Sequence, residues 1–265
     1  MSDTIRRVLE QFGRGPRNGL DDLTKVIVVP RRQIWLWIPK NAGGSICRSL
    51  FETYGLGAIA TDMPFAEIYG LNPALRDFEV VAFQRNPYTR IVSCWLNKVA
   101  EPGELVEKYP SLRGLSFLEF AQWLNTTDGG DENADPHWRS QRDFFVGVHR
   151  RLKFEDLPGA VEALGLNVVS LPHRNSHRKM AKRIGIKSRP LIDWYDRDSF
   201  AAITERYASD LTWLKYEFPG EIPAAKAPLD AADAEGSADG MHAEPSGDEG
   251  GSEGDDERAL VQAPH

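Results

Sequence analysis

Residues 34–50 read IWLWIPKNAGGSICRSL, an apolar run followed by a turn of small residues with one lysine and then by a helical pattern. This order predicts a buried strand, a tight loop and an α-helix. Backbone N–H groups in such a loop and at the helix N-terminus point into one concavity, where they bind an anion. Lys40 is expected at the mouth of the loop as a mobile positive charge. The stretch therefore predicts a phosphate-binding site.

A second stretch of the same kind lies further along the chain. Residues 80–93 read VVAFQRNPYTRIVS, again an apolar run that leads a basic residue, Arg85, into a turn. Ser93 follows about two helical turns later, so both side chains can reach one phosphate across the first turn. An arginine at a strand end also forms structural ion pairs with carboxylates, and this alternative stays open for Arg85 taken alone. Two anion sites on neighbouring strand ends suggest a ligand phosphorylated in two places.

Strand and helix patterns alternate along the middle of the chain. Predicted strands cover residues 26–29, 33–38, 79–83, 151–154 and 167–171, and predicted helices cover 45–54, 87–99, 116–124, 157–164 and 199–207. Such alternation predicts an α/β fold of three α/β/α layers with a mostly parallel central sheet, which binds ligands at the carboxyl ends of its strands. The run at 33–38 is nearly all apolar, which predicts a central strand buried on both faces.

We expect three segments in the chain. Residues 1–19 form an N-terminal amphipathic helix and turn, with Ile5, Val8, Leu9 and Phe12 on one helix face, which packs on the domain or makes peripheral contact with an anionic membrane or a partner. Residues 20–220 form one domain. Residues 221–265 form a disordered acidic tail, because they contain almost no large apolar side chains.

The charge distribution narrows the class of ligand. The chain has 265 residues and a net charge of −7; residues 221–265 carry −10, so residues 1–220 carry +3. A mildly basic body suits a polyanionic small molecule or an acidic acceptor. It lacks the clustered Lys and Arg of a nucleic-acid-binding protein, so we expect no nucleic-acid partner.

Cysteine content and hydropathy add further expectations. The chain has two cysteines, Cys47 and Cys94, which indicate neither a disulfide framework nor a cysteine-based zinc site, and we expect no bound metal. No apolar stretch approaches the length of about 18 residues that a membrane span needs, and the N-terminus lacks the apolar core of a signal peptide. The expected location is the cytoplasm.

The loop at residues 39–45, PKNAGGS, differs from an ATP-type P-loop, in which the lysine follows the last glycine. It resembles instead the 5′-phosphosulfate loop of sulfotransferases that use 3′-phosphoadenosine 5′-phosphosulfate (PAPS), especially the carbohydrate sulfotransferase family (sulfotransferase family 2-like). Gly44 departs from that pattern, since a threonine often stands there, while Ser45 keeps one hydroxyl.

Later segments extend the resemblance. RNPYTRIVS at residues 85–93 resembles the family's 3′-phosphate loop, with the same separation of arginine and serine. DPHWRSQ at 135–141 resembles a His-Trp-x-x-Gln segment of carbohydrate sulfotransferases. More loosely, LPHRNSHRK at 171–179 resembles a loop that approaches the nucleotide, and residues 195–216 resemble a closing helical region with a Tyr-x-x-Asp-Leu motif. The implied architecture is the P-loop-NTPase-like sulfotransferase fold.

The resemblance implies a set of site residues. The donor-binding residues would be Lys40, Asn41, Ala42, Gly43, Gly44, Ser45, Arg85 and Ser93, with no metal required. Lys40 would also be catalytic, stabilising the charge that grows on the bridging oxygen of the leaving group.

An acceptor hydroxyl also needs a general base, and His137 is the first candidate because a neutral imidazole titrates in the useful range. Asp135 and Glu155 stay open as alternatives. Trp138 and Arg139 would dock a sugar face and an anionic group, while His173 and His177 would help to bind phosphate or acceptor.

The implied reaction is an in-line transfer of a sulfuryl group from PAPS to a hydroxyl of a carbohydrate, glycan-like or lipid-headgroup acceptor. Two other functions stay open. One is a P-loop-type small-molecule kinase, which the position of Lys40 before the glycines disfavours. The other is a catalytically inactive nucleotide-binding module.

Overall fold

The computed structural model describes residues 24–100, 103–130, 134–163 and 177–222. The strands in this part of the chain form one sheet in the order β3-β1-β2-β4-β5. Their bounds are β1 Lys25–Val28, β2 Gln33–Leu36, β3 Ala58–Thr61, β4 Glu79–Gln84 and β5 Arg150–Lys153. All four residues of β2 are buried, which confirms the predicted central strand.

The sheet is mixed, so the prediction of a mostly parallel sheet was wrong for one half of it. β2 pairs in parallel with β4, and β4 with β5, but β1 is antiparallel to both β2 and β3. The link between β1 and β2 is a single 3-10 turn, Val29–Arg31, followed by Arg32 in the left-handed conformation. So short a link can join only antiparallel strands, because a parallel connection needs a crossover of a dozen or more residues.

Helices cover both faces of the sheet, as the three-layer prediction required. The bounds of the longer helices are α1 Gly43–Tyr54, α2 Phe65–Leu71, α3 Pro87–Lys98, α4 Glu104–Lys108, α5 Phe117–Trp123, α6 Leu157–Ala163, α7 His177–Arg183, α8 Arg197–Arg206 and α9 Ala208–Leu214. Alternate residues of the strands point to opposite faces. Val26, Trp35 and Val81 pack with Ile46 and Leu50 of α1, whereas Ile27, Ile34 and Val80 belong to a second cluster with Ile68 of α2 and Leu214 of α9.

A third apolar cluster stabilises α3, the helix that follows β4. It combines buried residues of α3 with residues of α5 and α8, such as Ile91, Phe120 and Ile203, each of which is fully buried. Tyr88 at the start of α3 stacks on Phe200 with ring centroids 5.6 Å apart. The helix that carries Arg90 and Ser93 is therefore held rigidly against its neighbours.

The predicted elements within the described residues are all present, with ends shifted by a few residues. Strand β3 and helices α2, α4 and α7 were not predicted, and α9 falls only within the helical region expected at 195–216. The predicted strand at 167–171, the N-terminal helix at 1–19 and nearly all of the acidic tail at 221–265 lie outside the described residues, and those expectations stay predictions. Among the described helices, none is long and apolar enough to cross a membrane.

Candidate active site

The carboxyl ends of β2, β4 and β5 lie side by side because these strands are parallel neighbours. The loop that follows β2 contains two non-glycine residues with positive φ, Lys40 at 71° and Ala42 at 63°. Such conformations are uncommon for residues with a Cβ and cluster at functional sites. In this loop the unusual backbone lies in the turn that leads into α1.

The first turn of α1 presents free backbone donors. The amide of Asn41 donates to the Ile38 carbonyl, and that of Ser45 donates to the Ala42 carbonyl. These two predicted donors are therefore already engaged within the loop. No side chain caps the helix, so the amides of Gly43 and Gly44 keep the free N–H groups of an uncapped first turn. This end of α1 is also the positive end of its dipole.

Lys40 is held in place rather than mobile, which corrects the expectation of a free charge at the mouth of the loop. Its ammonium Nζ donates a hydrogen bond of 2.9 Å to the side-chain oxygen of Asn97 in α3. Burial lowers the pKa of Lys40 to about 7, and the charges of Arg85 and Lys98 act in the same direction. The sequence analysis did not identify Asn97 as the partner of Lys40.

Arg85 brings the two predicted anion-binding loops into contact. Its guanidinium Nη1 donates to the Lys40 carbonyl at 2.7 Å, and its Nε donates to Thr89 Oγ1 at 3.2 Å. The guanidinium also lies 4.3 Å from the centre of the Phe154 ring. Burial lowers the pKa of Arg85 to about 10, against the opposing charge of Glu155, so this cation is costly to bury without an anionic ligand.

The alternative of a structural Arg85–carboxylate bridge is not found among the described residues. Glu155, the acidic side chain whose charge acts on Arg85, accepts hydrogen bonds from the Asn86 amide at 2.8 Å and from Tyr216 Oη at 2.7 Å. Both carboxylate oxygens thus have donors from elsewhere. This geometry makes Glu155 a positioning residue for the Arg85 loop and a poor candidate for the base.

The side chain of Gln141 joins the two loops by hydrogen bonds. Its Oε1 accepts from Asn41 Nδ2 at 2.8 Å and from the Arg85 amide at 3.0 Å, while its Nε2 donates to the Arg85 carbonyl at 2.7 Å. Asn41 Nδ2 also donates to the Phe83 carbonyl. The amide NH2 of Asn41 is therefore occupied by the scaffold, and its role in the loop is structural.

Arg90 and Asp210 are both fully buried. Their hydrogen bonds position the loop after β2 and the segment at 135–141. The Arg90 guanidinium donates to the carbonyls of Pro39, Pro136 and Arg139, and so ties the loop after β2 to the segment at 135–141. Asp210 accepts from Ser140 Oγ and from the amides of Gln141 and Arg142. Asp210 belongs to the Tyr-x-x-Asp-Leu motif, so that motif positions Gln141.

Ser93 lies in α3, two turns beyond Arg85, and is buried. Thr89, one turn nearer, is the hydroxyl residue that contacts Arg85 directly. Sequence analysis overlooked Thr89, although its position one turn before Ser93 placed it on the same side of the helix. Thr89 and Ser93 are thus two hydroxyl residues at helical spacing on the helix that follows Arg85.

His137 forms a hydrogen-bonded pair with Asp135. Asp135 Oδ1 lies 2.7 Å from His137 Nδ1 and also accepts from the His137 amide at 3.1 Å. Burial lowers the pKa of His137, helped by the charges of Lys98 and Lys40 and opposed by Asp135. Although burial acts to raise it, the pKa of Asp135 is lowered by the hydrogen bonds from His137. An ionised Asp135 can only accept, so Nδ1 carries the proton and Nε2 is free to accept one.

Trp138 and Arg139, the two residues after His137, differ in their surroundings. Trp138 is fully buried in the third apolar cluster. Its ring meets those of Tyr109 and Trp123. The Arg139 guanidinium donates to the Ala134 carbonyl at 3.0 and 2.9 Å. The expectation that Trp138 docks a sugar face was therefore wrong, because its ring is fully buried. The expected contact of Arg139 with an anionic group stays a prediction.

The other histidines do not add to the site. His149 is exposed, and its Nδ1 accepts a hydrogen bond from the Val80 amide at 2.9 Å. His173 and the side chain of His177 lie outside what the structure describes, so their proposed contacts stay predictions. Within the described ranges, no group of three or more His, Cys, Asp or Glu side chains is arranged to hold a metal ion.

Comparison with known proteins agrees with this geometry. No curated protein and no solved structure matches the chain. The sulfotransferase family model matches residues 34–179, more than half of the chain, and this range includes the loop after β2, the Arg85 loop and the segment that carries His137. The matched range contains the uncapped amides at the start of α1, the partly buried Lys40 and the buried Arg85. The chain belongs to the sulfotransferase family.

Proposed function

We propose that the chain transfers a sulfuryl group from PAPS to a hydroxyl of a carbohydrate, glycan-like or lipid-headgroup acceptor. The observation that carries this proposal is the hydrogen bond between Arg85 Nη1 and the Lys40 carbonyl at 2.7 Å. It brings together two anion-binding groups, one at each of two adjacent strand ends. A nucleotide with a phosphosulfate on one side of the ribose and a phosphate on the other matches such a pair.

The phosphosulfate would bind at the N-terminus of α1. The free amides of Gly43 and Gly44 would donate to its non-bridging oxygens, with the helix dipole adding a favourable field. Arg85 would bind the 3′-phosphate with its planar guanidinium, together with Thr89 and Ser93. The strained backbone at Lys40 and Ala42 presents these donors before the ligand arrives, so little reorganisation is needed on binding.

The acceptor hydroxyl would lose its proton to His137 Nε2 as its oxygen attacks sulfur. The sulfur–oxygen bond to the 5′-phosphate then breaks, and the bond electrons leave with adenosine 3′,5′-bisphosphate. The Lys40 ammonium would stabilise the negative charge on that departing oxygen. Asp135 would orient the imidazole and stabilise its protonated form.

Calorimetry with adenosine 3′,5′-bisphosphate and with Mg-ATP tests the choice of nucleotide. We expect the bisphosphate to bind without metal and more tightly than ATP. Preferential binding of ATP with a magnesium requirement would instead support a kinase and contradict the proposal.

Incubation with sulfur-labelled PAPS and an extract of the cells that make the protein tests catalysis. The wild-type protein should label a product, and the Lys40→Ala variant should not, although it folds. The Lys187→Ala variant is the matched control, since Lys187 is exposed and distant in sequence from every site residue. An absence of labelling by a wild-type protein that binds the bisphosphate would favour a catalytically inactive module.

A further inference from the structure

Trp37 lies between the end of β2 and the loop that contains Lys40, and 38% of its surface is exposed. Its amide donates to the Thr24 carbonyl at 2.9 Å, which attaches this part of the chain to the residue before β1. The sequence analysis assigned no function to Trp37. Its indole is nevertheless the large side chain nearest to the two glycines of the loop.

The indole fills the space beside Gly43. A Cβ added at Gly43 would lie 1.9 Å from Trp37 Cδ1 and 2.4 Å from Nε1, and one at Gly44 would lie 3.4 Å from Cζ2. The edge of the indole that carries Nε1 therefore spans both glycines at the start of α1. No side chain can be added at Gly43 unless Trp37 moves.

This close approach explains why residue 43 is a glycine. Gly43 is not among the residues with positive φ, so its backbone conformation is open to any residue. The requirement for glycine comes from Trp37, because its indole packs against the first turn where a Cβ of residue 43 would otherwise lie. The chain thus places an indole, rather than solvent, beside the free amides of Gly43 and Gly44.

The indole supplies a hydrogen-bond donor at this place. A tryptophan Nε1–H can only donate, and no described residue accepts from Trp37 Nε1. The indole N–H and the two glycine amides are therefore three unused donors at the first turn of α1. Donors of this kind bind an anion more strongly than a neutral group.

We infer that Trp37 binds the 5′-phosphosulfate end of the donor nucleotide, with its indole N–H donating to an anionic oxygen beside the amides of Gly43 and Gly44. The inference rests on the proposed function, since it assigns a further contact in the same site. It also assigns the partly exposed indole ring as the wall of the cradle on the side of β1.

Substitution of Trp37 by Phe removes the N–H and keeps an aromatic ring against Gly43. Calorimetry of the full chain with two nucleotides tests the contact. Loss of a hydrogen bond to a charged group should weaken the binding of adenosine 3′,5′-bisphosphate at least about tenfold. The affinity for adenosine 3′-monophosphate, which lacks the 5′-phosphate, should not change. The Trp213→Phe variant is the matched control, because Trp213 is 40% exposed on α9 and should leave both affinities unchanged.

Each result separates the inference from the proposed function. Wild-type affinity of Trp37→Phe for the bisphosphate would overturn the role of Trp37 and leave the proposed function intact. An equal loss of affinity for both nucleotides would also overturn the role of Trp37, because its contact would then be to a part of the ligand other than the 5′-phosphate. Failure of the wild-type protein to bind the bisphosphate would overturn both.

A second pair of variants tests the packing itself. Gly43→Ala should lower both the unfolding temperature and the bisphosphate affinity, because the new methyl group displaces the indole. In a Trp37→Ala background, the same change at Gly43 should lower the unfolding temperature no further. If Gly43→Ala destabilises both backgrounds equally, the close approach of Trp37 is not the cause, and the inference fails.

Discussion

Arg85 Nη1 donates a hydrogen bond of 2.7 Å to the main-chain carbonyl of Lys40. This bond joins the loops that follow two parallel neighbouring strands, β2 and β4. Lys40, whose carbonyl accepts this bond, has a positive φ of 71°. The loop after β2 thus accepts a hydrogen bond from a buried guanidinium, while the amides of Gly43 and Gly44 stay free.

Replacement of Arg85 should weaken the binding of nucleotides that carry a 3′-phosphate more than the binding of those that lack one. Arg85→Lys keeps a positive charge but loses the planar pair of donors and the bond to Lys40. We expect adenosine 3′,5′-bisphosphate to bind about ten- to a hundredfold more weakly, and adenosine 5′-monophosphate to be affected less. Calorimetry measures both affinities, and the exposed Arg197→Lys change on α8 is the control. Equal losses for the two nucleotides would contradict the assignment of Arg85 to the 3′-phosphate.

Nucleotide binding should take up a proton at Lys40. In the free protein burial lowers the pKa of Lys40 to about 7, and a bound anion must raise it, because the charged form then gains a partner. Between these two pKa values the free lysine is neutral and the bound one is charged. Binding should therefore weaken as the pH rises above about 7.

Calorimetry in buffers of different ionisation enthalpy measures this proton uptake. In Lys40→Arg the side chain stays charged throughout this range, so the uptake should disappear. Uptake of the same size in Lys40→Arg would assign the proton to another group.

Asp135 should control the pH dependence of the reaction through His137. Burial lowers the pKa of His137, and a base acts in its unprotonated form, so the rate should rise with pH through a value below that of an ordinary histidine. Removal of the base in His137→Ala should lower kcat about a hundredfold or more.

Asp135→Asn removes a charge that raises the pKa of His137, so it should shift the acidic limb to still lower pH. It should also lower kcat more than it changes KM. The exposed Asp198→Asn change is the control. An unshifted acidic limb in Asp135→Asn would exclude His137 as the titrating base.

Asp210 should contribute strongly to folding stability. It is fully buried and accepts hydrogen bonds from Ser140 Oγ and the amides of Gln141 and Arg142. Asp210→Ala leaves three donors without their acceptor, of which the Gln141 amide is buried, at a cost of about 3–5 kcal/mol in the free energy of unfolding. Urea denaturation measures this change. A loss of less than about 1 kcal/mol would show that these bonds are replaced by water.

Sequence patterns predicted the elements better than their arrangement. Periodicity and turn residues placed strand, loop and helix around both Lys40 and Arg85, because those signals are local. Strand β3 was missed, since its residues 58–61, AIAT, are short and weakly apolar. The antiparallel β1–β2 pair was predictable from the short link between them, but the alternation of strands and helices elsewhere favoured a parallel sheet.

Local sequence patterns could not predict which residues hold the site in place. Gln141 lies 100 residues from Asn41, and Asp210 lies 69 residues from Gln141. Gln141 and Asp210 stood in segments that were noted for family resemblance alone. Trp138 was expected to face a ligand, whereas the surrounding aromatic rings bury it completely. Burial of a loop side chain depends on which distant elements pack over it.

The sequence by itself determined the two candidate anion-binding turns, their order along the chain, the residue types that they contain and the family to which the chain belongs. These are local properties, set by backbone preferences and by the spacing of apolar, basic and small residues. The tertiary structure decided that Lys40 is partly buried with a lowered pKa, that Arg85 reaches its carbonyl, and that Trp37 lies against Gly43. The first two depend on residues distant in sequence, Asn97 and Arg85, which no local pattern encodes. The third depends on the three-dimensional path of the loop between Trp37 and Gly43.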